Sequence, residues 1–510
     1  MSTKNIGRST VWLIVSELIF NLSGYVIHSF VGRILGPADY GRYGLVVTLT
    51  TMVIILIGNG IPTAMAKYIS EIFETNPRQV LAIKSQAIKM QTILIGTITV
   101  LFFLSSPLIA LALGDPSLTN LFRISTLIIP TFAAASFYFS WFTGLHKFNT
   151  QSVQKTLRSI FKVIFIVGLA WIWRVPGSII GYAASAFAVF LVGFFIDQLK
   201  YTKDIKKAAK TQNLSSSDDF EAKKLLNYAW QVIIFFLAYE LLISIDLYLV
   251  KGILHDDYLT GIYNAALTVG RIPYYIFYAL TIMLLPVISK STAENNHQRT
   301  NEIISQSLRL MLILLIPAVI IMAQFSRPIT KLFYSAKYID AAYPMSILAY
   351  GVGFLTIFYV MSFVMNGAGK TKIPMWISIV GVALNTFLNY ILIKKYALTG
   401  SALATSITSF FTMLIMLYYI QKDFGVLIKL KSFLKMFFAA IIMYLLSYFF
   451  SKGEFVFIIW SLILFAIYMA ILIVLGEIGK TDLLYLKNIV SRKQKKVEVR
   501  EELSGNVPSA

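Results

Sequence analysis

Fourteen apolar runs of about twenty residues each, separated by short polar segments, dominate this chain. About twenty consecutive apolar residues make a helix long enough to cross the hydrocarbon core of a bilayer. In lipid every backbone polar group must be satisfied internally, which the helix does within one segment. The runs fall near residues 10–32, 43–65, 87–113, 120–143, 157–174, 178–196, 226–250, 260–288, 308–326, 343–366, 373–393, 398–420, 433–451 and 455–475. The fold expected is therefore all-α and integral to a membrane, with about 14 transmembrane helices. Composition agrees: 14% of the 510 residues are charged, against about 25% in a soluble protein.

Charge orients the chain. With the N-terminus placed inside, the inner segments and the span ends beside them hold 32 Lys and Arg, and the outer loops with their span ends hold 11. The excess of basic residues on one side places both termini in the cytoplasm and makes the protein multi-pass in the cytoplasmic (plasma) membrane. The net charge of +21 then belongs to membrane-flanking loops, and no nucleic acid is expected as a partner. No small-residue cleavage site follows the first apolar run, so that run is expected to remain as a span.

The longest polar interruption, Asp197 to Lys224, divides the chain into an N-lobe at 1–196 (six spans), a cytoplasmic linker at 197–225 and a C-lobe at 226–420 (six spans). Two further spans at 421–476 and a cytoplasmic tail at 477–510 follow. The two lobes read as copies. Ile34-Leu35 before Tyr40-Gly41-Arg42-Tyr43 matches Ile253-Leu254 before Thr260-Gly261-Ile262-Tyr263, and Ile61-Pro62 matches Leu285-Pro286. Gly144-Leu145-His146-Lys147 matches Gly367-Ala368-Gly369-Lys370, and Gly181 is paired with Gly400, all at offsets of 219 to 224. A repeat of six helices keeps its membrane orientation, and carriers place their sites between such repeats.

Several chemistries lack their residues. There is no cysteine, and the four histidines are far apart in sequence, so no H-E-x-x-H or thiolate site exists. Gly369-Lys370-Thr371 resembles the end of a P-loop, but position 364 is Val364 and no strand precedes it. No Asp-x-Asp occurs. The chain is read as a non-enzyme with no organic cofactor.

Ionisable and polar residues inside apolar spans carry the functional expectation, because burying them in a membrane is costly. Glu17, Asn21, Gly24 and His28 share one helical face of span one. Asn264, Thr268, Arg271, Tyr275 and Tyr278 share one face of span eight, and there a guanidinium fork suited to phosphate stands among hydroxyls and rings. Lys155, Arg158 and Lys162 step up span five, and Glu240 and Asp246 lie in span seven. Arg271, Lys162, Glu17, Asn21, His28, Asn264, Thr268, Tyr275 and Tyr278 are the candidate substrate-binding residues. Asp246, Asn385, Asn389 and Thr405 offer oxygens for a hard cation, with hydrogen bonding between helices as the other reading of the same residues.

Gly32-Arg33-Ile34-Leu35-Gly36-Pro37-Ala38-Asp39-Tyr40-Gly41-Arg42-Tyr43 resembles the first-loop signature of polysaccharide biosynthesis flippases. Asn59-Gly60 with Ala66-Lys67-Tyr68-Ile69-Ser70-Glu71, and Asn366-Gly367-Ala368-Gly369-Lys370-Thr371, resemble the end of their second helix and their loop after helix ten. These proteins belong to the multidrug/oligosaccharidyl-lipid/polysaccharide exporter superfamily. The resemblance implies two six-helix lobes in a V, alternating access to a central cavity, and a polyprenyl-diphosphate-linked oligosaccharide as substrate. Membrane lipids and other polysaccharide assembly proteins are the implied partners. Related lipid II flippases use cavity arginines and a sodium site on helices seven, eleven and twelve, which maps here to Asp246, Asn385, Asn389 and Thr405. The family pattern favours a second acid where Asn389 stands, which leaves Na+ or H+ as the coupling ion. A cation-coupled multidrug exporter of the same fold and a membrane scaffold of a polysaccharide assembly complex are the competing readings.

Overall fold

A computed structural model of the protein describes residues 19–20, 22–58, 61–73, 76–211, 222–294, 296–425, 428–450, 453 and 455–479. Among these residues the chain is helix joined by turns and short irregular segments, with no strand. A first helix covers the described residues 22–35 (α1). It is followed by α2 (Pro37–Gly58), α3 (Ile61–Ile72), α4 (Pro77–Ala112), α5 (Thr119–Ser125) and α6 (Ile128–Gly144). Next come α7 (Phe148–Lys162), α8 (Gly168–Ile196), α9 (Thr202–Thr211), α10 (Ala222–Leu254), α11 (Asp257–Gly270) and α12 (Ile272–Ala293). The chain continues with α13 (His297–Gln324), α14 (Ser326–Tyr334), α15 (Ala342–Gly367), α16 (Lys372–Phe424), α17 (Leu430–Leu446) and α18 (Val456–Val474). Starts are written locally: Asn76, Asp256 and Asn296 each accept a backbone N–H three residues on, at 3.0–3.1 Å, capping α4, α11 and α13.

Seven helical stretches among the described residues are long and apolar enough to cross a membrane. Two of them, Phe148–Ala209 and Lys372–Phe424, run to 62 and 53 residues because each contains two spans joined with almost no loop. A single left-handed residue turns each hairpin, Arg174 at φ 51° and Ala397 at φ 48°. Three residues on, Gly177 and Gly400 lie so close to the preceding helix that an added Cβ would sit 2.0 Å from the carbonyl oxygens of Leu169 and Leu392. All three pairs are 223 positions apart, as are His146 (φ 55°) and Gly369 (φ 77°), which close the turns after α6 and α15. The partner of Gly400 is therefore Gly177 and not Gly181. Gly181 instead packs on the backbone of Phe165 and Ile166, within a π-helical turn at Val163–Val167.

The first lobe is held by α2, α3, α4, α6 and α8, and the second by α10, α12, α13, α15 and α16, with α17 and α18 against α13. At the foot of the first lobe α8 runs through a second π turn, Asp197–Tyr201, directly into α9. Asp197 is fully buried, accepts from the Trp141 indole at 2.7 Å and from Thr202 at 2.9 Å, and pairs with Lys84. The polar stretch beginning at Asp197 thus starts inside the N-lobe core, since a buried carboxylate with three donors is held there. The bundle has a linker end, where α9 ends at Thr211 and α10 begins at Ala222, and a far end, where α1 turns into α2 and α10 into α11.

Candidate functional site

The two lobes meet at the far end. There α2 crosses α11 so closely that a Cβ on Gly261 would lie 1.8 Å from the Pro37 carbonyl oxygen, and one on Gly41 would lie 2.5 Å from that of Asp257. Only glycine permits this approach. Tyrosines bridge the same seam: Tyr40 of α2 meets Tyr334 of α14 at 2.9 Å between hydroxyls, and the Tyr338 hydroxyl donates to the Gly32 carbonyl at 2.7 Å. Arg33 reaches the carbonyls of Leu332 and Phe333. These lie at the C-terminal turn of α14, where a cation complements the helix dipole. Lys251 pairs with Asp115 and Asp257, and Arg42 with Asp257. Arg33 and Arg42, near the two ends of the first-loop signature, both belong to this seal.

On the linker side of the seal lies a cavity of about 320 Å3 between the lobes. Lys162 enters it from the first lobe. It ends α7 immediately before the Val163–Val167 π turn, and such turns re-aim neighbouring side chains. Its Nζ stands 4.8 Å from the Phe20 ring and 5.4 Å from the Tyr182 ring, where the rings attract the charge while helping to desolvate it. One turn back, the buried Arg158 guanidinium lies 4.1 Å over Phe132. Arg271 enters from the second lobe at the break between α11 and α12. Its guanidinium is tethered to the carbonyl of Ile243 in α10. Glu240 of α10 lines the same space. Two cations, one from each lobe, thus face one carboxylate across a low-dielectric chamber, an arrangement that favours an anionic guest.

The chamber gathers much of what helical spacing groups. Arg271, Lys162, His28, Asn264, Thr268 and Tyr275 all line it. His28 Nδ1 lies 2.8 Å from the Tyr40 hydroxyl, which links the chamber to the seal. Asn264 Nδ2 reaches the Tyr40 carbonyl at 3.5 Å. Glu17, Asn21 and the side chain of Tyr278 lie outside the described residues. Lining residues that the sequence reading missed include Tyr25, Tyr43, Thr48, Thr51 and Tyr182. Gly44, Thr48 and Thr51, at helical spacing within the apolar α2, carried a usable signal; the aromatic residues carried none.

The oxygen cluster forms apart from this chamber, inside the second lobe. Asp246 is fully buried and accepts from Tyr263 at 2.9 Å, Thr405 at 3.1 Å and the Leu247 amide at 2.8 Å. Asn385 donates to the Leu242 carbonyl at 3.1 Å, Asn389 donates to Asn385, and Ser401 donates to Asn389 at 2.6 Å. With one acid and neutral amide and hydroxyl oxygens, this donor set fits a monovalent cation or a proton and not a divalent ion. Among the described residues no three His, Cys, Asp or Glu converge as metal ligands.

Two helical lobes around a chamber that receives a cation from each lobe are the architecture of a polytopic membrane protein, and two family matches place it in the multidrug/oligosaccharidyl-lipid/polysaccharide exporter superfamily. The polysaccharide biosynthesis protein model matches residues 6–292, more than half of the chain, and the MatE model matches residues 232–391. The chain belongs to the polysaccharide biosynthesis protein family. It is 24% identical over 412 residues to the lipid II flippase MurJ of Bacillus subtilis, covering 74% of this chain and 74% of that protein. It is 25% identical over 148 residues to the probable low-salt glycan biosynthesis flippase Agl15 of Haloferax volcanii, covering 29% and 31%. Among solved structures, a lipid II flippase MurJ in an inward closed conformation aligns with a TM-score of 0.71 at 18% identity, covering 93% of this chain and 100% of that one, a likeness of fold.

Proposed function

We propose that this protein translocates a polyprenyl-diphosphate-linked oligosaccharide across the cytoplasmic membrane by alternating access, in the service of cell-surface glycan synthesis. The observation that carries the reading is the position of Lys162 and Arg271 on opposite walls of one chamber sealed at the far end. A diphosphate brought between them neutralises both, and so draws the lobes onto itself. Rings and amides nearby, Tyr25, Tyr182, Tyr275 and Asn264, offer stacking faces and hydrogen bonds to sugars. The polyprenyl chain stays in the bilayer while the head crosses, avoiding the several kcal/mol or more that a bare phosphate costs in hydrocarbon. No bond is made or broken. With both termini cytoplasmic, the far end is the outer face, and the sealed state accepts substrate from within. The buried Asp246 cluster is the seat of coupling to Na+ or H+.

The relatives named as flippases support this reading, as does the basic chamber. The MatE match and Glu240 favour one competitor, a cation-coupled multidrug exporter. Purified protein in vesicles, loaded with a polyprenyl-diphosphate N-acetylglucosamine probe, separates them. Arg271→Ala and Lys162→Ala should each slow probe translocation by roughly tenfold or more, the loss expected for a charge-assisted hydrogen bond. Full translocation by both variants, or transport of an organic cation dye in place of the probe, would sink the proposal.

A further inference from the structure

A second amphiphile-shaped space lies on the outer flank of the second lobe. An apolar furrow of about 700 Å3 runs between α13, α15, the second arm of α16, and α17. Leu312, Val319, Phe354, Leu414, Phe433 and Phe437 are among its walls. At the far end it opens beside a recess of about 880 Å3 of different character, walled by Gln324, Arg327, Asp340 and tyrosines from three separate segments. Among the described residues, none that lines either space also lines the central chamber.

Tyr350 and Tyr444 line both spaces. The Tyr444 hydroxyl meets that of Tyr448 at 2.7 Å, and Tyr448 lines only the recess, so the polar tip of Tyr444 is on the recess side and its ring borders the furrow. Tyr350 behaves alike, its hydroxyl within hydrogen-bond reach of Gln324, which lines only the recess. Two rings thus form the boundary between an oily slot and a polar cup. An ordinary interfacial belt spreads its tyrosines around a protein at one depth. Here five (Tyr343, Tyr350, Tyr396, Tyr444 and Tyr448) surround one recess that continues into one slot. Tyr343 and Tyr448 present most of their surface to the outside, at 66% and 59% exposure. Arg327 and Asp340 balance each other in charge, so ring faces and hydroxyls, and not net charge, set what the cup prefers. Ring faces with hydroxyl tips suit the apolar faces and hydroxyl edges of sugars.

We infer that this paired space is an exit site that holds a glycosylated polyprenyl lipid in the outer leaflet, its sugars in the tyrosine cup and its chain in the furrow, after the head has left the central chamber. The inference rests on the translocation reading above for the orientation of the far end and for the lipid class. The site gives the product a bound state outside the chamber, so the chamber can close behind it.

Photolabelling tests it. Full-length protein in phosphatidylglycerol-containing nanodiscs is exposed to polyprenyl-diphosphate N-acetylglucosamine bearing a diazirine in its terminal isoprene unit. A parallel sample receives diazirine-tailed phosphatidylglycerol at the same mole fraction. Labelled peptides are mapped by mass spectrometry. The glycolipid should label α17 around Phe433 and Phe437 well above the phospholipid. The double variant Tyr343→Ala/Tyr448→Ala, altering two exposed side chains, should cut that labelling roughly tenfold. Equal labelling by both lipids, or labelling indifferent to the double variant, would show that the furrow holds only bulk lipid and would overturn the site. Translocation on the same preparations reports the central chamber separately. If α17 is labelled as expected while Arg271→Ala translocates normally, the chamber reading fails and the exit site stands; failed labelling with Arg271-dependent translocation gives the reverse.

Discussion

His28 and Tyr40 meet at 2.8 Å on the wall of the central chamber, and the same Tyr40 hydroxyl lies 2.9 Å from Tyr334 in the opposite lobe. A residue that faces the substrate space therefore shares a hydrogen-bond partner with the far-end seal. Thr268, which also lines the chamber, is within hydrogen-bond reach of both tyrosines. A guest that moves His28 or Thr268 disturbs the contact that holds the lobes shut.

Tyr40→Phe should loosen that contact. The ring still packs, but His28 and Tyr334 each lose a partner, which costs about 1–3 kcal/mol in a buried setting. The closed far end should lose population to the open one by roughly tenfold or more. The chain has no cysteine, so a single Thr51→Cys reporter in the chamber can be read cleanly. Membrane-impermeant maleimide added from outside should label it faster in the Tyr40→Phe background. An unchanged labelling rate would mean that the hydroxyl chain carries no part of the seal.

Gly261→Ala should prevent closure altogether. Its new methyl would sit 1.8 Å from the Pro37 carbonyl oxygen, and backbone cannot rotate away as a side chain can. Overpacking of this kind costs about 1–3 kcal/mol or more, and the strain is relieved by parting α2 from α11. Translocation should fall close to background while the protein still folds, and the Thr51→Cys reporter should be open to outside reagent. Gly96→Ala is the control, since nothing lies within 4 Å of a Cβ there. Normal transport by Gly261→Ala would show that the lobes need not meet at this crossing.

These two positions mark the limit of what the sequence could reveal. The spans, the repeat and the charged residues of the chamber were legible because each is a local periodic signal: a polar side chain recurring every three or four residues in an apolar run is visible without knowing its neighbours. Arg271, Lys162, His28 and Asn264 were found that way. The seal was not, because Tyr40 and Tyr334 are 294 residues apart and nothing in the first-loop signature that holds Tyr40 names its partner. The pairing of Gly400 with Gly177 was missed for a related reason. The repeat fixes an offset only where both copies keep a recognisable landmark, and the hairpin turns fall on Arg174 and Ala397, which share none. The exit space was invisible because it joins α13, α15, α16 and α17 at their sides.

At the foot of the first lobe, Asp197→Asn should destabilise strongly. Lys84 is 6% exposed and Asp197 0% exposed, and the Lys84 ammonium also lies 4.3 Å over the Trp141 ring. Removing the carboxylate charge leaves a buried ammonium without its counter-ion, a change that costs about 3–5 kcal/mol. Thermal unfolding in detergent, followed by tryptophan fluorescence, should show a clear drop in midpoint. The double variant Lys84→Met/Asp197→Asn should recover most of it, because the uncompensated charge is gone. A single variant as stable as the parent would mean that water reaches this pair.

The proposed seat of ion coupling, the Asp246 cluster, can be tested through its own residues. Its oxygens already accept three hydrogen bonds, from Tyr263, Thr405 and the Leu247 amide. An ion can enter only by turning hydroxyl donors away, after which the same hydroxyls offer lone pairs. The neighbouring Asn389 contributes a neutral oxygen where a second acid would double the charge, so binding rests on the one carboxylate. Asp246→Asn should therefore remove any dependence of probe translocation on external Na+ or on a proton gradient, and the remaining rate should be at least tenfold lower, consistent with loss of a charge-assisted ligand. Asn389→Asp should move the other way and lower the Na+ concentration needed for half-maximal rate. Replacing Na+ with choline at fixed pH, and then collapsing the pH gradient at fixed Na+, separates the two ions. If the parent protein ignores both manipulations and Asp246→Asn transports normally, the cluster is only a polar seam that joins α10 to α11 and α16, and the chamber moves its lipid down a gradient set by supply and use.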